Sequence, residues 1–154
     1  RISAYDDDGL PLLNGSRLEN LNPGQKVSQQ IDTYFNVSGT GWIELDGTVG
    51  TTPIEIVGMG LFSPRSGSPA DFAALPALPG STLLHFPMFR KDSSWWTGIA
   101  VVNVSHTNLI TVQLDAYDET GKKIQTLTYD LVPGEKISGY VNTLFQLGTD
   151  RTPR

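Results

Sequence analysis

Residues 2–9 read ISAYDDDG, and residues 114–121 read LDAYDETG. Further along each stretch, residues 22–35 read NPGQKVSQQIDTYF and residues 132–145 read VPGEKISGYVNTLF. Self-similarity at a regular spacing is typical of proteins assembled from related units. It also supplies an internal control, because a residue in one stretch can be compared with its counterpart in the other.

The stretches belong to two related partial copies, which we name the first half-copy (residues 1–62) and the second half-copy (residues 82–145). Residues 63–81 form a linker rich in Pro and Gly between them. A chain of 154 residues is long enough for one well-buried core, so we expect a single domain over residues 1–154. The shared residues are Tyr5, Asp6, Gly9, Pro23, Gly24, Lys26, Thr33 and Phe35 in the first half-copy, and Tyr117, Asp118, Gly121, Pro133, Gly134, Lys136, Thr143 and Phe145 in the second.

The composition limits the classes of function. Hydrophobic residues make up 38% and charged residues 18% of the chain, as in folded globular proteins. The net charge of −5 gives no electrostatic reason to expect nucleic acid as a partner, and no apolar run is long enough for membrane insertion. With no cysteine, the chain has no disulfide and no thiolate. No leader peptide is recognisable, so the chain is either cytosolic or preceded by a leader outside this sequence.

Hydrophobic residues recur with a period of two, which is typical of half-buried β-strands. Val112, Leu114 and Ala116, for example, share one face of a strand. Residues 98–102 are apolar throughout, so we expect a central strand covered on both faces. The pattern predicts an all-β fold, an antiparallel β-sandwich of about ten strands. The other predicted strands include residues 27–31, 42–46, 53–62, 82–89, 127–131 and 137–141.

Turn residues punctuate both half-copies at matching places. Residues 6–9 (the first hairpin turn) and residues 118–121 (the second hairpin turn) each begin with Asp and end with Gly, the pattern of a type I turn or a G1 bulge. Residues 22–25 (the first Pro-Gly turn) and residues 132–135 (the second Pro-Gly turn) predict type II turns, in which Gly supplies the positive φ.

Short helical segments are predicted in two settings. Residues 32–35 and 142–145 each predict one turn of 3₁₀ helix. In the linker, residues 68–71 resemble a capping box with Pro at the first helical position, and residues 72–75 continue this helix until Pro76 ends it. The prolines of the linker argue against a paired strand there.

Residues 85–105 read HFPMFRKDSSWWTGIAVVNVS, and VQLDAYDETG and LVPGEKISGYVNTLF follow. This order resembles the β-sandwich repeat modules of secreted bacterial proteins, in which a Trp-x-Thr-Gly-hydrophobic-Asn strand precedes an Ala-Tyr-Asp-x-x-Gly hairpin and a Pro-Gly-x-x strand. The resemblance covers residues 82–145 well and residues 2–62 in part. It implies an extracellular, cell-surface or periplasmic location and no chemistry of its own. It is carried by Trp96, Thr97, Gly98, Asn103, Tyr117, Asp118, Gly121, Pro133 and Gly134.

The first half-copy has no counterpart of the strand that begins at Thr97 and Gly98. We therefore expect the chain either to be part of a longer array or to be a permuted unit whose partial copies complete each other. Neighbouring modules of a longer chain are expected partners.

A metal site is considered at the first hairpin turn, where Asp6, Asp7 and Asp8 offer the carboxylates that calcium prefers. The second hairpin turn keeps only Asp118 and Glu119, and no EF-hand spacing follows either turn. We therefore favour solvated turns and predict no metal and no cofactor.

Catalysis finds little support in the motifs. The chain has no Gly-x-Ser-x-Gly elbow, phosphate loop or zinc motif. His85 and His106 are far apart, and His85 lies in an apolar run, so we expect it to be packed. Glu44, Asp46 and Glu55 suit a glycosidase-like carboxylate pair, but such residues are common on the wet face of a sheet. We predict no catalytic residues.

Aromatic residues offer the better candidate site. Trp95 and Trp96 are consecutive on a predicted strand, so their side chains point to opposite faces, and we expect Trp96 to be buried and Trp95 to be partly exposed. Phe86 and Phe89 lie nearby in sequence, and Trp42 joins them as a candidate ligand-binding surface. An exposed aromatic platform suits sugar stacking or a protein interface. The alternative is that these residues fill the core and its rim.

These observations predict a non-catalytic structural or adhesive module, not an enzyme, with a protein or a carbohydrate as a partner. A carbohydrate-binding module with an aromatic platform is the alternative. A hydrolase that uses carboxylates of the wet face is the third hypothesis.

Overall fold

The computed structural model describes residues 1–36, 41–62, 73–87, 89 and 97–146, and strands are the main regular structure of these residues. The predicted all-β class is confirmed, since the only helices in these ranges are two short ones. The strands are β1 (Ile2–Tyr5), β2 (Pro11–Arg17), β3 (Trp42–Leu45), β4 (Thr48–Val49), β5 (Thr52–Pro53), β6 (Met59–Phe62), β7 (Ala73–Pro76), β8 (Gly98–Val102), β9 (Ile110–Tyr117), β10 (Lys123–Leu131) and β11 (Lys136–Tyr140). The helices are α1 (Ile31–Phe35) and α2 (Val141–Leu144).

All described strand pairs are antiparallel. The largest sheet has the order β2-β1-β3, and it belongs to the first half-copy. The second half-copy forms the long hairpin β9-β10 and the pair β8-β11. Two further pairs, β4-β5 and β6-β7, complete the described strands.

The two predicted hairpin turns form with the same hydrogen bonds. In the first, the Gly9 amide donates to the Asp6 carbonyl over 3.2 Å, and Asp6 Oδ1 accepts from the Leu10 amide over 2.8 Å. In the second, the Gly121 amide donates to the Asp118 carbonyl over 3.0 Å, and Asp118 Oδ1 accepts from the amide four residues on, over 2.9 Å. A short carboxylate that bonds its own backbone is what makes Asp suitable at this position.

The two Pro-Gly turns also form as predicted. Gly24 has φ of 79° and Gly134 has φ of 78°, values that Gly adopts without a steric penalty. A side-chain oxygen closes each turn by accepting from the amide three residues back, Gln25 Oε1 in the first turn and Glu135 Oε2 in the second. The helical turns that follow are confirmed as well, although they are α-helical turns rather than 3₁₀ turns.

Buried side chains come from both half-copies. Phe35 at the end of α1 and Phe145 after α2 are 0% and 4% exposed, so the shared Phe is an anchor in both places. Around Phe145, the buried residues Ala116 and Val141 form a cluster. The partly buried residues packed against this cluster are Phe89, Ile99, Leu114, Ile124, Leu127 and Leu144.

The predicted linker helix is wrong over residues 73–75. These residues belong to β7, which pairs with β6 from Phe62 opposite Ala73 to Met59 opposite Pro76. Pro76 is tolerated because β7 is an edge strand of a two-stranded sheet, where a backbone without an N–H can face away from the ladder. The first part of the predicted helix, residues 68–71, lies outside the described residues.

Some predicted strands also differ from the structure. Residues 54–58 separate β5 from β6, so the predicted strand over residues 53–62 is interrupted. Residues 82–87 form no strand; there the Ser81 hydroxyl bonds the amide and the carbonyl of Leu83, in place of a ladder partner. Strand β8 was expected to be covered on both faces, but Ala100 is exposed.

Residues 27–30 form no strand either, and α1 begins at Ile31, although their alternation matches that of β11. The difference lies in the pairing. β11 is paired along its whole length with β8, from Lys136 opposite Val102 to Tyr140 opposite Gly98. No such strand lies beside residues 27–30 in the described part of the chain.

The hairpin β9-β10 carries a carboxylate with an altered pKa. A hydrogen bond from the Thr126 hydroxyl, followed by one from Lys123, lowers the pKa of Asp115 to about 2. The stability that this carboxylate contributes is therefore present above its ordinary pKa of 3.8 and is lost as the pH falls towards about 2.

We expect Thr126→Val to raise the pKa of Asp115 towards its ordinary value, because the first of these hydrogen bonds is lost. An NMR titration of the carboxyl carbon measures the midpoint. Thr128→Val, the same change two residues along β10, is the matched control and should leave the midpoint unchanged. An unchanged midpoint in Thr126→Val would contradict the assignment.

Candidate functional site

Two aromatic rings stack where β1 pairs with β3. The antiparallel register places Tyr5 opposite Trp42. Their ring centroids are 4.4 Å apart and their planes differ by 14°. The indole N–H of Trp42 donates to the main-chain oxygen of Gly134 over 2.8 Å, so this half-buried side chain connects the two half-copies.

Glu44 lies two residues beyond Trp42, on the same face of β3. Its Oε2 accepts a hydrogen bond from the Tyr5 hydroxyl over 3.2 Å, and its Oε1 is 3.2 Å from Nε2 of His106. The rings of His106 and Tyr5 are 6.2 Å apart. Because the side chain of His106 is 55% exposed and that of Glu44 is 27% exposed, solvent reaches the group. We name Tyr5, Trp42, Glu44 and His106 the aromatic–acid cluster.

The electrostatics of the cluster keep Tyr5 in its neutral form. Burial, and then the negative charge of Glu44, raise the pKa of Tyr5 above the ordinary value of 10.0. The hydroxyl is therefore a hydrogen-bond donor to Glu44 throughout the physiological range of pH. A carboxylate, a phenol and an imidazole beside an indole are groups that hydrogen-bond to sugar hydroxyls and pack on sugar rings.

The three wet-face carboxylates of the hydrolase hypothesis make different contacts. Glu44 belongs to the aromatic–acid cluster, Asp46 pairs with the Arg1 guanidinium at 3.2 Å, and Glu55 is exposed between β5 and β6. Glycoside hydrolysis usually requires two carboxyl groups that face one bond. The sequence offers three such groups, but the contacts of Glu44 are to Tyr5 and His106 and that of Asp46 is to Arg1. The histidine expected to be packed, His85, is exposed, so that prediction is wrong.

The aromatic residues predicted to form a platform lie in different surroundings. Trp42 is in the aromatic–acid cluster, and Phe89 packs against the cluster around Phe145. Phe86 is 54% exposed in the segment after β7. Trp95 and Trp96 lie outside the described residues, so the contrast expected between them stays a prediction.

A close contact between the half-copies joins the first hairpin turn to the second Pro-Gly turn, and we name it the junction. A Cβ atom added to Gly9 would lie 2.5 Å from the carbonyl carbon of Gly134, so the two backbones touch. Beside them, Lys136 Nζ is 2.7 Å from Asp7 Oδ1 and donates to the Gly41 carbonyl over 2.8 Å. The Lys136 amide donates to the Asp7 carbonyl over 2.8 Å.

Asn103 is hydrogen-bonded to the second Pro-Gly turn and so stabilises the junction. Its side chain is 1% exposed, and its Nδ2 group donates to the carbonyls of Asn108, Leu131 and Val132 at 2.8–3.1 Å. Its Oδ1 accepts from the Ser105 amide over 3.0 Å. Its own carbonyl accepts from the Gly134 amide, so one residue connects the end of β8 and the end of β10 to the second Pro-Gly turn.

Sequence reasoning identified Trp42 but missed the roles of Tyr5 and His106 in the cluster. Glu44 and His106 are separated by 62 residues, and no motif relates residues that far apart. The match between Lys26 and Lys136 was visible, but the sequence did not reveal that one of them joins the half-copies.

The described ranges contain neither a metal-binding group nor a membrane-spanning helix. No three His, Cys, Asp or Glu side chains gather there in a way that could hold a metal ion. No helix in these ranges is long and apolar enough to span a membrane. Comparison of the chain with models of known families, with curated proteins and with solved structures found no match.

Proposed function

We propose that the chain is a non-catalytic structural or adhesive module of an extracellular, cell-surface or periplasmic protein. In this proposal the strands form an antiparallel β-sandwich of about ten strands, which the two half-copies complete together. The junction is the observation that carries the proposal, because it connects the half-copies by backbone contact and by an ion pair. A spacer or adhesive module requires such a connection, since force applied at one end must pass through the whole unit.

The contacts of two largely buried polar side chains support this proposal. Lys136 has a side chain that is only 12% exposed, and it binds groups of the other half-copy. Asn103 is 1% exposed, and it binds the backbone of two loops and of the last residue of β10. Desolvating such groups is costly unless they are hydrogen-bonded, so the Lys136 contacts favour one arrangement of the half-copies, and the Asn103 contacts hold the second Pro-Gly turn in place within its own half-copy. The proposed location rests on the resemblance of residues 82–145 to secreted modules.

Single-molecule pulling tests whether the chain resists force as one unit. We expect one rupture per molecule, with a gain in contour length of about 500 Å, since each of the 154 residues adds at most about 3.5 Å. Lys136→Met should lower the rupture force, because it removes the ion pair of the junction. Lys26→Met, at the exposed counterpart in the first half-copy, is the matched control. Two separate ruptures of about half the length would contradict the proposal.

The aromatic–acid cluster favours a second candidate function, carbohydrate binding. The half-exposed imidazole, the carboxylate and the stacked rings lie side by side, as a sugar site requires. The wild-type chain on a glycan array identifies a ligand, and calorimetry then measures its affinity. Under this hypothesis Glu44→Gln weakens binding about tenfold or more, which corresponds to the loss of a hydrogen bond to a charged group.

Asp46→Asn is the matched control, because Asp46 comes directly after β3, the strand that carries Glu44, but contacts Arg1 instead of the aromatic–acid cluster. If Glu44→Gln leaves the affinity unchanged, the sugar site lies elsewhere. If no glycan on the array binds the chain, carbohydrate binding is ruled out as a candidate function. Release of reducing sugar from a bound glycan would instead favour the hydrolase hypothesis.

A further inference from the structure

The two hairpin turns have the same hydrogen bonds to backbone amides but different surroundings. Gly9 in the first turn has φ of 83° and lies against the backbone of Gly134. Gly121 in the second turn has φ of 81°, and a Cβ atom added there would meet nothing within 4 Å. One turn is therefore part of an interface, and its counterpart presents the same backbone shape to open space.

The two Pro-Gly turns show the complementary difference. Gly134 is buried against Gly9, whereas a Cβ atom added to Gly24 would meet nothing within 4 Å. The first Pro-Gly turn is exposed along its whole length. The molecule thus contains one complete junction, together with an open copy of each of the two surfaces that form it.

The open surfaces carry opposite charges at the positions where the junction has its ion pair. Asp7 and Lys136 form the ion pair of the junction. Their counterparts in the two repeated stretches are Glu119 and Lys26, both exposed and opposite in charge. The second hairpin turn therefore carries an anion, and the first Pro-Gly turn is followed by a cation, at the positions that the junction uses.

We infer that a second copy of this chain occupies these surfaces: the second hairpin turn of one molecule docks on the first Pro-Gly turn of the next, and Glu119 pairs with Lys26. The contact joins different surfaces of identical molecules, so it is heterologous. It leaves one hairpin turn and one Pro-Gly turn open at the two ends of each pair. Successive molecules therefore add head to tail.

The intermolecular contact is weaker than the junction. In the junction, Trp42 donates to the Gly134 carbonyl and the Gly41 carbonyl accepts from Lys136, and both groups come from the chain beyond the first hairpin turn. The described residues beyond the second hairpin turn include no counterpart of β3. The association therefore depends on concentration, and salt weakens it because the charged groups are exposed.

Sedimentation velocity of the 154-residue chain over a wide concentration range tests this inference. We expect the sedimentation coefficient of the wild type to rise with concentration and the rise to shrink in high salt. Lys26→Glu and Glu119→Lys should each weaken the association by about tenfold or more, because each places like charges opposite each other. The double variant, with both charges exchanged, should regain it, and so should an equimolar mixture of the two single variants.

Glu55→Lys is the matched control, since it makes the same change of charge at an exposed residue that belongs to neither turn. It should associate as the wild type does. Circular dichroism melts establish that all variants fold, which is expected because Lys26 and Glu119 are exposed. A wild type that stays monomeric at every concentration would overturn the inference. Association that the single variants do not weaken, or that the double variant does not regain, would overturn it as well.

Discussion

Replacing Asn103 by alanine is expected to lower the free energy of unfolding by about 3 kcal/mol. The amide group donates to three backbone carbonyls and accepts from one backbone amide, and it does so at 1% exposure. Alanine leaves these buried or part-buried backbone groups without their partner. Asn103→Asp should cost more still, because a carboxylate oxygen would then face the carbonyl oxygens of Leu131 and Val132.

Urea denaturation of Asn103→Ala beside Asn108→Ala measures the effect. Asn108 is exposed, and it binds Asn103 only through its backbone carbonyl. Truncating the side chain of Asn108 should therefore change the free energy of unfolding by less than about 0.5 kcal/mol. A loss below about 1 kcal/mol in Asn103→Ala would show that this hydrogen-bonded network contributes little to the fold.

The second large effect is expected when a methyl group is added at the junction. Gly9→Ala and Gly134→Ala should each cost about 3 kcal/mol, the sum of a positive-φ penalty of about 1–2 kcal/mol and a steric term. The steric term arises because the added Cβ would lie 2.5 Å from backbone at Gly9 and 2.9 Å from backbone at Gly134. No flexible side chain is available to move aside at either position.

The other two turn glycines provide an internal control for this comparison. Gly24 and Gly121 have φ of 79° and 81°, with nothing within 4 Å of an added Cβ. Their alanine variants should lose only about 1–2 kcal/mol, the penalty for the positive φ. Thermal or urea denaturation at low protein concentration compares all four variants. Equal losses at all four positions would mean that the junction does not constrain the fold.

The turns were predictable because their chemistry is local. An Asp that bonds amides two and four residues ahead needs no distant partner, and neither does a Gly at positive φ. Both hairpin turns and both Pro-Gly turns therefore formed where the sequence placed them. The helical turns were located for the same reason, with a shared Phe at the end of each.

The pairing of strands was harder to predict. The alternation of apolar and polar residues along a strand does not say which other strand lies beside it. Residues 27–30 alternate as β11 does, yet only β11 has β8 beside it. In the linker, the helix pattern of residues 73–75 was outweighed by the partner that β6 offers to β7. The aromatic–acid cluster is also the product of distant pairing, since Glu44 and His106 meet across 62 residues.

The buried amide of Asn103 also bears on how the protein is produced. Asn103, Val104 and Ser105 form an Asn-Val-Ser triplet, the acceptor sequence of N-linked glycosylation. A glycan attached to Nδ2 would replace a hydrogen that the carbonyls of Leu131 and Val132 require, and no space exists for it at 1% exposure. A chain glycosylated there before folding would be unable to bury this side chain. Hosts that do not attach such glycans are therefore the appropriate choice for expression.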